Sequence, residues 1–122
     1  MPKSKILVVD DDPGLLSMLQ LMLRLEGYDT IVCGEPQRVV DTMVRETPDL
    51  VLLDALMPGL DGIQVLEAVR ARALTTPVLL VTGNANEAYL KLAMKAGANG
   101  LLAKPFVKEE LLVQLQKFLG KT

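Results

Sequence analysis

Four short apolar runs and one further strand candidate, separated by segments long enough to form helices, make up the pattern of the chain. The runs lie at residues 6–9, 50–53, 78–81 and 101–103, and the further strand candidate is Thr30 to Cys33. Uninterrupted apolar runs of this length are typical of strands that are buried on both faces. The remaining segments predict five helices, at roughly residues 14–26, 36–46, 62–72, 86–96 and 107–119. This alternation predicts an α/β domain, with a doubly wound five-stranded parallel sheet between two layers of helices.

Residues that commonly begin and end helices lie at the predicted boundaries. Asp12 and Pro13 suit the start of the first helix, and Asp61 suits the N-cap of the third helix. Gly27 and Gly97 follow the last apolar positions of the first and fourth helices. No repeat, linker or low-complexity stretch interrupts the pattern, so we expect residues 1–122 to form a single domain.

The composition restricts the class of function. Half of the 122 residues are apolar but only 3% are aromatic, which predicts an aliphatic core and disfavours base-stacking surfaces. The net charge of −2 is unlike the basic footprint of a nucleic-acid or membrane binder, so we expect no direct binding to either. The apolar runs are too short for a signal-peptide core or a membrane span, which predicts a cytoplasmic protein.

The lack of histidine and the single cysteine exclude several chemistries. Without histidine the chain can form no Ser-His-Asp triad, no Cys-His pair and no phosphohistidine. Cys33 alone can form neither an internal disulfide nor a zinc site, and we interpret it as a structural residue. Any phosphate chemistry on this chain therefore needs another acceptor.

Polar residues follow most of the apolar runs, at the point where each strand is predicted to end. These residues are Asp10, Asp11, Asp12, Asp54, Thr82 and Lys104. The carboxyl ends of parallel strands form one edge of an open sheet, so we expect these side chains to converge. Clustered carboxylates repel one another unless they are protonated, paired with a cation or bound to a metal ion. Oxygen ligands favour Mg²⁺, and Asp11 and Asp54 are the first candidates to bind it, whereas Asp12 best fits a helix cap.

Asp54 is also a candidate phosphoryl acceptor. A carboxylate that closes a buried apolar strand is costly unless a charged group meets it. Beside Mg²⁺ this aspartate could act as a nucleophile, while Lys104 supplies an ammonium and Thr82 a hydroxyl for the phosphoryl oxygens. Taken singly, Asp10 or Asp11 could merely cap the first helix. Thr82 could equally cap a loop, and Lys104 could be a surface lysine.

Five motifs in this order resemble the receiver domain of a two-component response regulator, and the resemblance spans essentially the whole chain. The motifs are Val9-Asp10-Asp11, Leu53-Asp54 with residues 55–62, Val81-Thr82-Gly83, Ala96-Gly97-Ala98 and Lys104-Pro105-Phe106. The resemblance implies a flavodoxin-like fold with strand order 2-1-3-4-5 and a cis Lys104-Pro105 bond.

The resemblance also implies roles for the site residues. Asp54 would be the phosphorylated residue, and Thr82 and Lys104 would contact the phosphoryl oxygens. The implied Mg²⁺ ligands are Asp10, Asp11, Asp54 and the backbone carbonyl of Leu56.

Two features depart from the usual receiver pattern. Most receivers carry an aromatic residue three positions before the lysine, where this chain has Leu101. We therefore expect no aromatic rotamer switch, so that the signal passes through Thr82 and the backbone, or phosphate is passed onward without a large switch. Of the residues that would flank the phosphoryl group, Leu56 cannot orient water and Asn84 could, which leaves the lifetime of the phosphoaspartate open.

Two apolar surfaces are candidates for partner binding. The expected core face of the first helix contains Leu15, Met18, Leu19, Met22 and Leu25. Leu16 and Leu23 lie to one side of it, and either extend onto the surface or cover the core beneath nearby loops. In the resembled family a histidine kinase or phosphotransfer protein docks on this helix, and two leucines would suit an apolar partner helix.

The second candidate surface lies on the fourth helix. Leu90 and Met94 are four residues apart and could join Leu101 and Ala103 in one apolar patch. In the resembled family this is the output face, which would contact an effector domain or a downstream protein.

The leading interpretation is a phosphoacceptor signalling domain. It takes a phosphoryl group from a histidine kinase or phosphotransfer protein onto Asp54 in a Mg²⁺-dependent reaction. It catalyses its own phosphorylation and dephosphorylation rather than the turnover of a metabolite. The alternative is a pseudo-receiver that acts by protein contact without phosphorylation, which only the leucine at position 101 favours. The chain is either a whole protein or part of a longer regulator.

Two other classes fit the residues poorly. A phosphatase with an aspartate nucleophile needs a second acid two residues after Asp54, where Leu56 stands. A flavodoxin-like FMN binder needs a phosphate-binding loop after the first strand, where three aspartates would repel the phosphate.

Overall fold

The main sheet has five parallel strands, and the computed structural model describes residues 3–57, 60–83 and 86–120. In chain order the strands are β1 (Lys5–Val9), β2 (Asp29–Cys33), β3 (Leu50–Asp54), β4 (Leu56–Met57), β5 (Leu60–Asp61), β6 (Val78–Thr82) and β7 (Gly100–Ala103). β4 and β5 pair antiparallel in a separate small sheet that the sequence pattern did not predict. The main sheet has the order β2-β1-β3-β6-β7. Counting only its own strands this is 2-1-3-4-5, which confirms the predicted fold.

Helices alternate with the strands of the main sheet. They are α1 (Pro13–Leu25), α2 (Val39–Glu46), α3 (Gly62–Ala71), α4 (Glu87–Ala96) and α5 (Lys108–Leu119). The second helix is shorter than the predicted 36–46, because Pro36–Arg38 form a 3₁₀ turn in front of it. Such turns are common at the start of an α-helix. Within the described residues, no helix has the length and apolar character needed to cross a bilayer.

Alternate residues of each central strand point to opposite faces of the sheet and form two core clusters. Leu7 and Leu53 lie in the cluster that includes buried residues of α2, α3 and α4. Ile6 and Leu52 lie in the cluster that includes buried residues of α1 and α5. Cys33 is buried in the first cluster, which agrees with a structural role. Apart from Tyr28, the buried core residues in the described part of the chain carry no aromatic ring, in line with the aliphatic core that the composition predicted.

The buried face of α1 differs from the predicted one. Leu19 and Leu23 are buried, whereas Met18 and Leu25 are 56% and 78% exposed. Leu16 is half-buried and packs against the second core cluster. The apolar positions of this helix cover most of its circumference, so the sequence pattern alone could not tell which of them face the sheet.

The helix caps were predicted correctly at two sites near the carboxyl edge of the sheet. The Asp12 side chain accepts hydrogen bonds from the backbone N–H groups of Gly14 and Leu15, at 2.9 and 3.3 Å. The Asp61 side chain accepts one from Gln64 N at 3.0 Å, and the Gln64 side chain accepts one from Asp61 N in return. This reciprocal capping box begins α3 beside the candidate site.

Candidate functional site

The parallel strands bring the predicted site residues to one edge of the sheet. Asp10 directly follows β1, Asp54 ends β3, Thr82 ends β6 and Lys104 directly follows β7. Asp10, Asp54 and Thr82 are all buried polar residues. Burial of three polar side chains at a strand edge is costly unless they interact with one another or with a ligand.

Three of these side chains form an acidic cluster. Carboxylate oxygens of Asp10, Asp11 and Asp54 all lie within 4.8 Å of one another. Asp10 and Asp54 are only 5% and 6% exposed, while Asp11 is open to solvent. Buried and solvent-facing carboxylates that converge in this way can share a hard cation. Asp12 lies outside this cluster, and its side chain caps α1 instead.

The electrostatics of Asp10 reflect this crowding. Burial raises the pKa of the Asp10 carboxyl above its ordinary value, and the charges of Asp54 and Asp11 raise it further. A hydrogen bond from Asp12 N to Asp10 Oδ1, 3.0 Å long, and the charge of Lys104 act in the opposite direction. The negative charge of the cluster is thus only partly compensated by the protein itself.

Lys104 provides the positive group of the site. Its Nζ donates a hydrogen bond to Asp54 Oδ1 at 3.2 Å, and its backbone N–H donates one to Thr82 O at 2.7 Å. The following Lys104-Pro105 bond is cis, as the resemblance implied. Lys104 follows β7, and β6 lies between β7 and β3, the strand that carries Asp54. The lysine side chain therefore reaches past the end of β6 to Asp54.

A cavity of about 450 Å³ lies at this edge. It is lined by Asp54, Ala55, Asp61, Thr82, Gly83, Tyr89 and Lys104. Tyr89, the third residue of α4, was not predicted as a site residue, because nothing in its local sequence shows that it reaches the end of β3. Leu56 pairs with Asp61 in the small sheet, and its role as a carbonyl ligand stays a prediction. Asn84 lies outside the described residues.

The structure corrects one of the two predicted partner surfaces. On α1, Leu23 is fully buried and Leu16 half-buried, so the exposed apolar residues of this helix are instead Met18, Leu21 and Leu25. Leu23 faces the sheet because the buried side of α1 is rotated relative to the predicted one.

The predicted surface on α4 is only partly continuous. Leu90 and Met94 are 40% and 46% exposed, while Leu92 is exposed on a different side of the helix, since residues two apart do not share a face. Leu101 is half-buried and packs against the first core cluster, so most of its side chain belongs to the core. Ala103 is exposed at the end of β7.

Comparison with known proteins identifies similar chains. Residues 6–116 match the sequence profile of the response regulator receiver domain. The chain is 41% identical over 120 residues to the DNA-binding response regulator MtrA of Mycolicibacterium smegmatis, covering 98% of this chain and 52% of MtrA. The solved structure of chemotaxis protein CheY4 of Vibrio cholerae matches with a TM-score of 0.91 at 28% identity, covering 97% of this chain and 100% of that one.

A second solved structure is informative about the acidic cluster. The receiver domain of sensor histidine kinase PA1611 from Pseudomonas aeruginosa PAO1 has a magnesium ion coordinated in its active site cleft. It matches with a TM-score of 0.86 at 31% identity, over 98% of this chain and 100% of that one.

The relatives also bear on the predicted absence of nucleic-acid binding. This chain spans about half the length of the relatives it matches, 52% in the case of MtrA. MtrA is named a DNA-binding response regulator, whereas we predicted no direct binding of nucleic acid. The prediction concerns residues 1–122 alone, and it would conflict with the name of MtrA if it were applied to a longer regulator that contains this domain. The sheet order, the acidic cluster and the profile match all agree on the class of this domain. The chain therefore belongs to the response regulator receiver domain family, whose members are phosphoacceptor signalling domains.

Proposed function

We propose that Asp54 accepts a phosphoryl group from a phosphohistidine of a partner protein. The observation that carries this proposal is a buried carboxylate that lies 3.2 Å from the Lys104 ammonium and beside two further carboxylates. In the reaction an Asp54 oxygen attacks phosphorus, so that an O–P bond forms and the N–P bond of the phosphohistidine breaks. The bonding pair stays on the imidazole nitrogen, where a proton neutralises it, and the product is an acyl phosphate on Asp54.

The residues of the acidic cluster fit Mg²⁺. Their donor atoms are all carboxylate oxygens, which hard cations prefer, and their mutual repulsion is relieved by a divalent charge. Asp10, Asp11 and Asp54 would hold the ion, together with the backbone carbonyl of Leu56. When bound, Mg²⁺ neutralises negative charge on the carboxylates and on the transferring phosphoryl group.

Lys104 and Thr82 would hold the phosphoryl oxygens. Both line the cavity next to Asp54, and their side chains carry hydrogen-bond donors. Lys104 adds a full positive charge where negative charge develops on the equatorial oxygens. These two residues orient the group but do not form bonds to phosphorus.

The domain acts as an acceptor that catalyses its own phosphorylation and dephosphorylation, rather than as an enzyme that turns over a metabolite. A phosphatase would need a second acid two residues after Asp54, where Leu56 stands. The pseudo-receiver alternative has no support from the family match or from the site, which retains its carboxylates and its lysine.

The partner that delivers phosphate would be a histidine kinase or a phosphotransfer protein. A groove of about 390 Å³ is lined by Leu15, Met18, Pro105, Phe106 and Lys104, the lysine whose Nζ donates a hydrogen bond to Asp54. This groove replaces Leu16 and Leu23 as the proposed docking surface, because Leu23 is buried. An apolar partner helix placed there would bring its histidine near the acceptor.

Output would pass to an effector domain or a downstream protein. The exposed Leu90 and Met94 of α4 form the proposed contact surface. DNA binding in a longer regulator would then belong to a separate domain. We place the domain in the cytoplasm, which is typical of response regulators.

Incubation with acetyl phosphate and Mg²⁺, followed by intact-mass spectrometry and peptide mapping, tests the acceptor. We expect one phosphoryl group on the peptide that contains Asp54, and none on Asp54→Asn. Asp12→Asn is a matched control, because it changes a neighbouring aspartate that lies outside the cluster and asparagine also caps helices well. A wild type that takes no label, or an Asp54→Asn variant labelled at the same position, would contradict the proposal.

A further inference from the structure

The side chain of Tyr89 reaches the proposed phosphoryl site from α4. It lines the same cavity as Asp54, Thr82 and Lys104. Its hydroxyl oxygen is buried, and no group in the described part of the chain forms a hydrogen bond with it. A buried hydroxyl without a hydrogen-bond partner is energetically costly, so most such groups in proteins have one. The hydroxyl therefore lacks a partner in the described residues, and a small shift of the Tyr89 side chain toward the adjoining cavity would let it meet a group bound there.

The ring and the backbone of Tyr89 are held in place independently of the hydroxyl. The ring is half-buried and packs against the first core cluster, as does Leu101 on β7. The backbone N–H of Tyr89 donates a hydrogen bond of 2.8 Å to the side chain of Asn86, which caps α4. The hydroxyl is thus carried at the first turn of α4 by a ring that the core orients.

The Tyr89 hydroxyl is a hydrogen-bond donor at neutral pH. Burial raises its pKa above the ordinary value, and the charges of Asp61 and Asp54 raise it further. It therefore keeps its proton in the presence of the negative charges around the cavity. A neutral donor of this kind suits an anionic oxygen, because hydrogen bonds to charged acceptors are roughly twice as strong as neutral ones.

We propose that the Tyr89 hydroxyl donates a hydrogen bond to the phosphoryl group carried by Asp54, and that α4 responds to phosphorylation through this contact. The inference rests on the proposed function of Asp54. Tyr89 on α4 would thus be the aromatic residue that senses the phosphoryl group. Leu101 on β7 cannot do this, because its side chain has no ring and no hydroxyl. The exposed face of α4, with Leu90 and Met94, would then be coupled directly to the site.

NMR of the wild-type protein labelled with ¹³C at its tyrosine rings provides the first test. The chain has only two tyrosines, Tyr28 and Tyr89, so each ring can be followed separately. Tyr28 is buried in the second core cluster and directly precedes β2, at the edge of the sheet opposite to the site. With Mg²⁺ and beryllium fluoride, a phosphoryl mimic on aspartate, the Tyr89 ring signals should shift and those of Tyr28 should not.

The variant Tyr89→Phe removes the hydroxyl and keeps the ring, and Tyr28→Phe makes the same change away from the site. The concentration of beryllium fluoride that half-saturates the protein should rise about tenfold in Tyr89→Phe, as expected for a lost interaction of about 1.4 kcal/mol. It should stay at the wild-type value in Tyr28→Phe. The α4 amide shifts induced by the mimic should shrink in Tyr89→Phe alone.

The outcomes separate this inference from the function on which it rests. Labelling of Asp54 by acetyl phosphate in both the wild type and Tyr89→Phe supports the acceptor assignment independently of the tyrosine. If the wild type is labelled but its Tyr89 ring signals do not move, or Tyr89→Phe binds the mimic as tightly as the wild type, the role of Tyr89 is wrong. If the wild type neither takes the label nor binds the mimic, the proposed function fails and this inference fails with it.

Discussion

Replacing Gly62 with alanine should strain the backbone that carries Asp54. Gly62 is the first residue of α3, and an added Cβ atom would lie 2.7 Å from Ala55 Cα and 3.0 Å from the Asp54 carbonyl oxygen. Both neighbours are backbone atoms, which cannot rotate away as a flexible side chain could. The substitution therefore pushes α3 away from the end of β3. The hydrogen bond from Gly62 N to Ala55 O, 2.7 Å long, must lengthen as a result.

The expected loss of unfolding free energy is about 2 kcal/mol. Overpacking of this kind costs about 1–3 kcal/mol, and the weakened backbone hydrogen bond adds up to about 1 kcal/mol. Alanine recovers at most about 1 kcal/mol, through its higher helix propensity. The steric cost outweighs this gain because the contact is well below van der Waals distance. At a typical denaturant slope for a small domain, the urea midpoint should fall by roughly 1 M.

Gly83→Ala is the matched control, since Gly83 lines the same cavity but has open space around an added Cβ. Its φ lies outside the left-handed region, so alanine there should leave stability unchanged or raise it by about 0.4–1 kcal/mol. Urea unfolding followed by circular dichroism measures both variants, and acetyl phosphate labelling of Gly62→Ala should be slower than that of the wild type. Equal urea midpoints for the two variants would refute the steric reasoning.

Three further predictions concern the site. Asp10→Asn should weaken Mg²⁺ binding yet stabilise the metal-free protein at neutral pH. Folding raises the pKa of the Asp10 carboxyl, so the free energy of unfolding falls as the pH rises from the ordinary carboxyl pKa through the raised pKa of the folded state. A variant that is less stable than the wild type in urea titrations at neutral pH would contradict this. Lys104→Met should slow labelling of Asp54 and lower stability by about 1 kcal/mol, because the lost ion pair involves a lysine that is one-third exposed; a wild-type labelling rate would argue against its role. On addition of beryllium fluoride, the Leu101 methyl signals should move less than the Thr82 amide, and equal shifts would show that Leu101 takes part in the switch.

The strands and their polar ends could be predicted from the sequence because both depend on local information. A strand buried on both faces needs an unbroken apolar run, and its length sets where the next polar residue lies. In a parallel sheet all such ends share one edge, so Asp10, Asp54, Thr82 and Lys104 could be placed together before any contact was known. The caps at Asp12 and Asp61 were predictable for the same reason, since a cap bonds to residues within one helical turn.

Only the tertiary structure decided which face of α1 is buried and which side chains complete the site. The apolar residues of α1 surround most of the helix, so packing against the sheet had to select Leu23 over Met18 as a buried residue. Tyr89 meets Asp54 across a cavity formed by elements distant in sequence, and no local pattern encodes that contact. The periodicity of apolar residues specifies whether a segment forms a helix or a strand, because it reflects the geometry of that single helix or strand. The relative placement of elements depends on how their surfaces fit together, and that fit is a property of the whole fold.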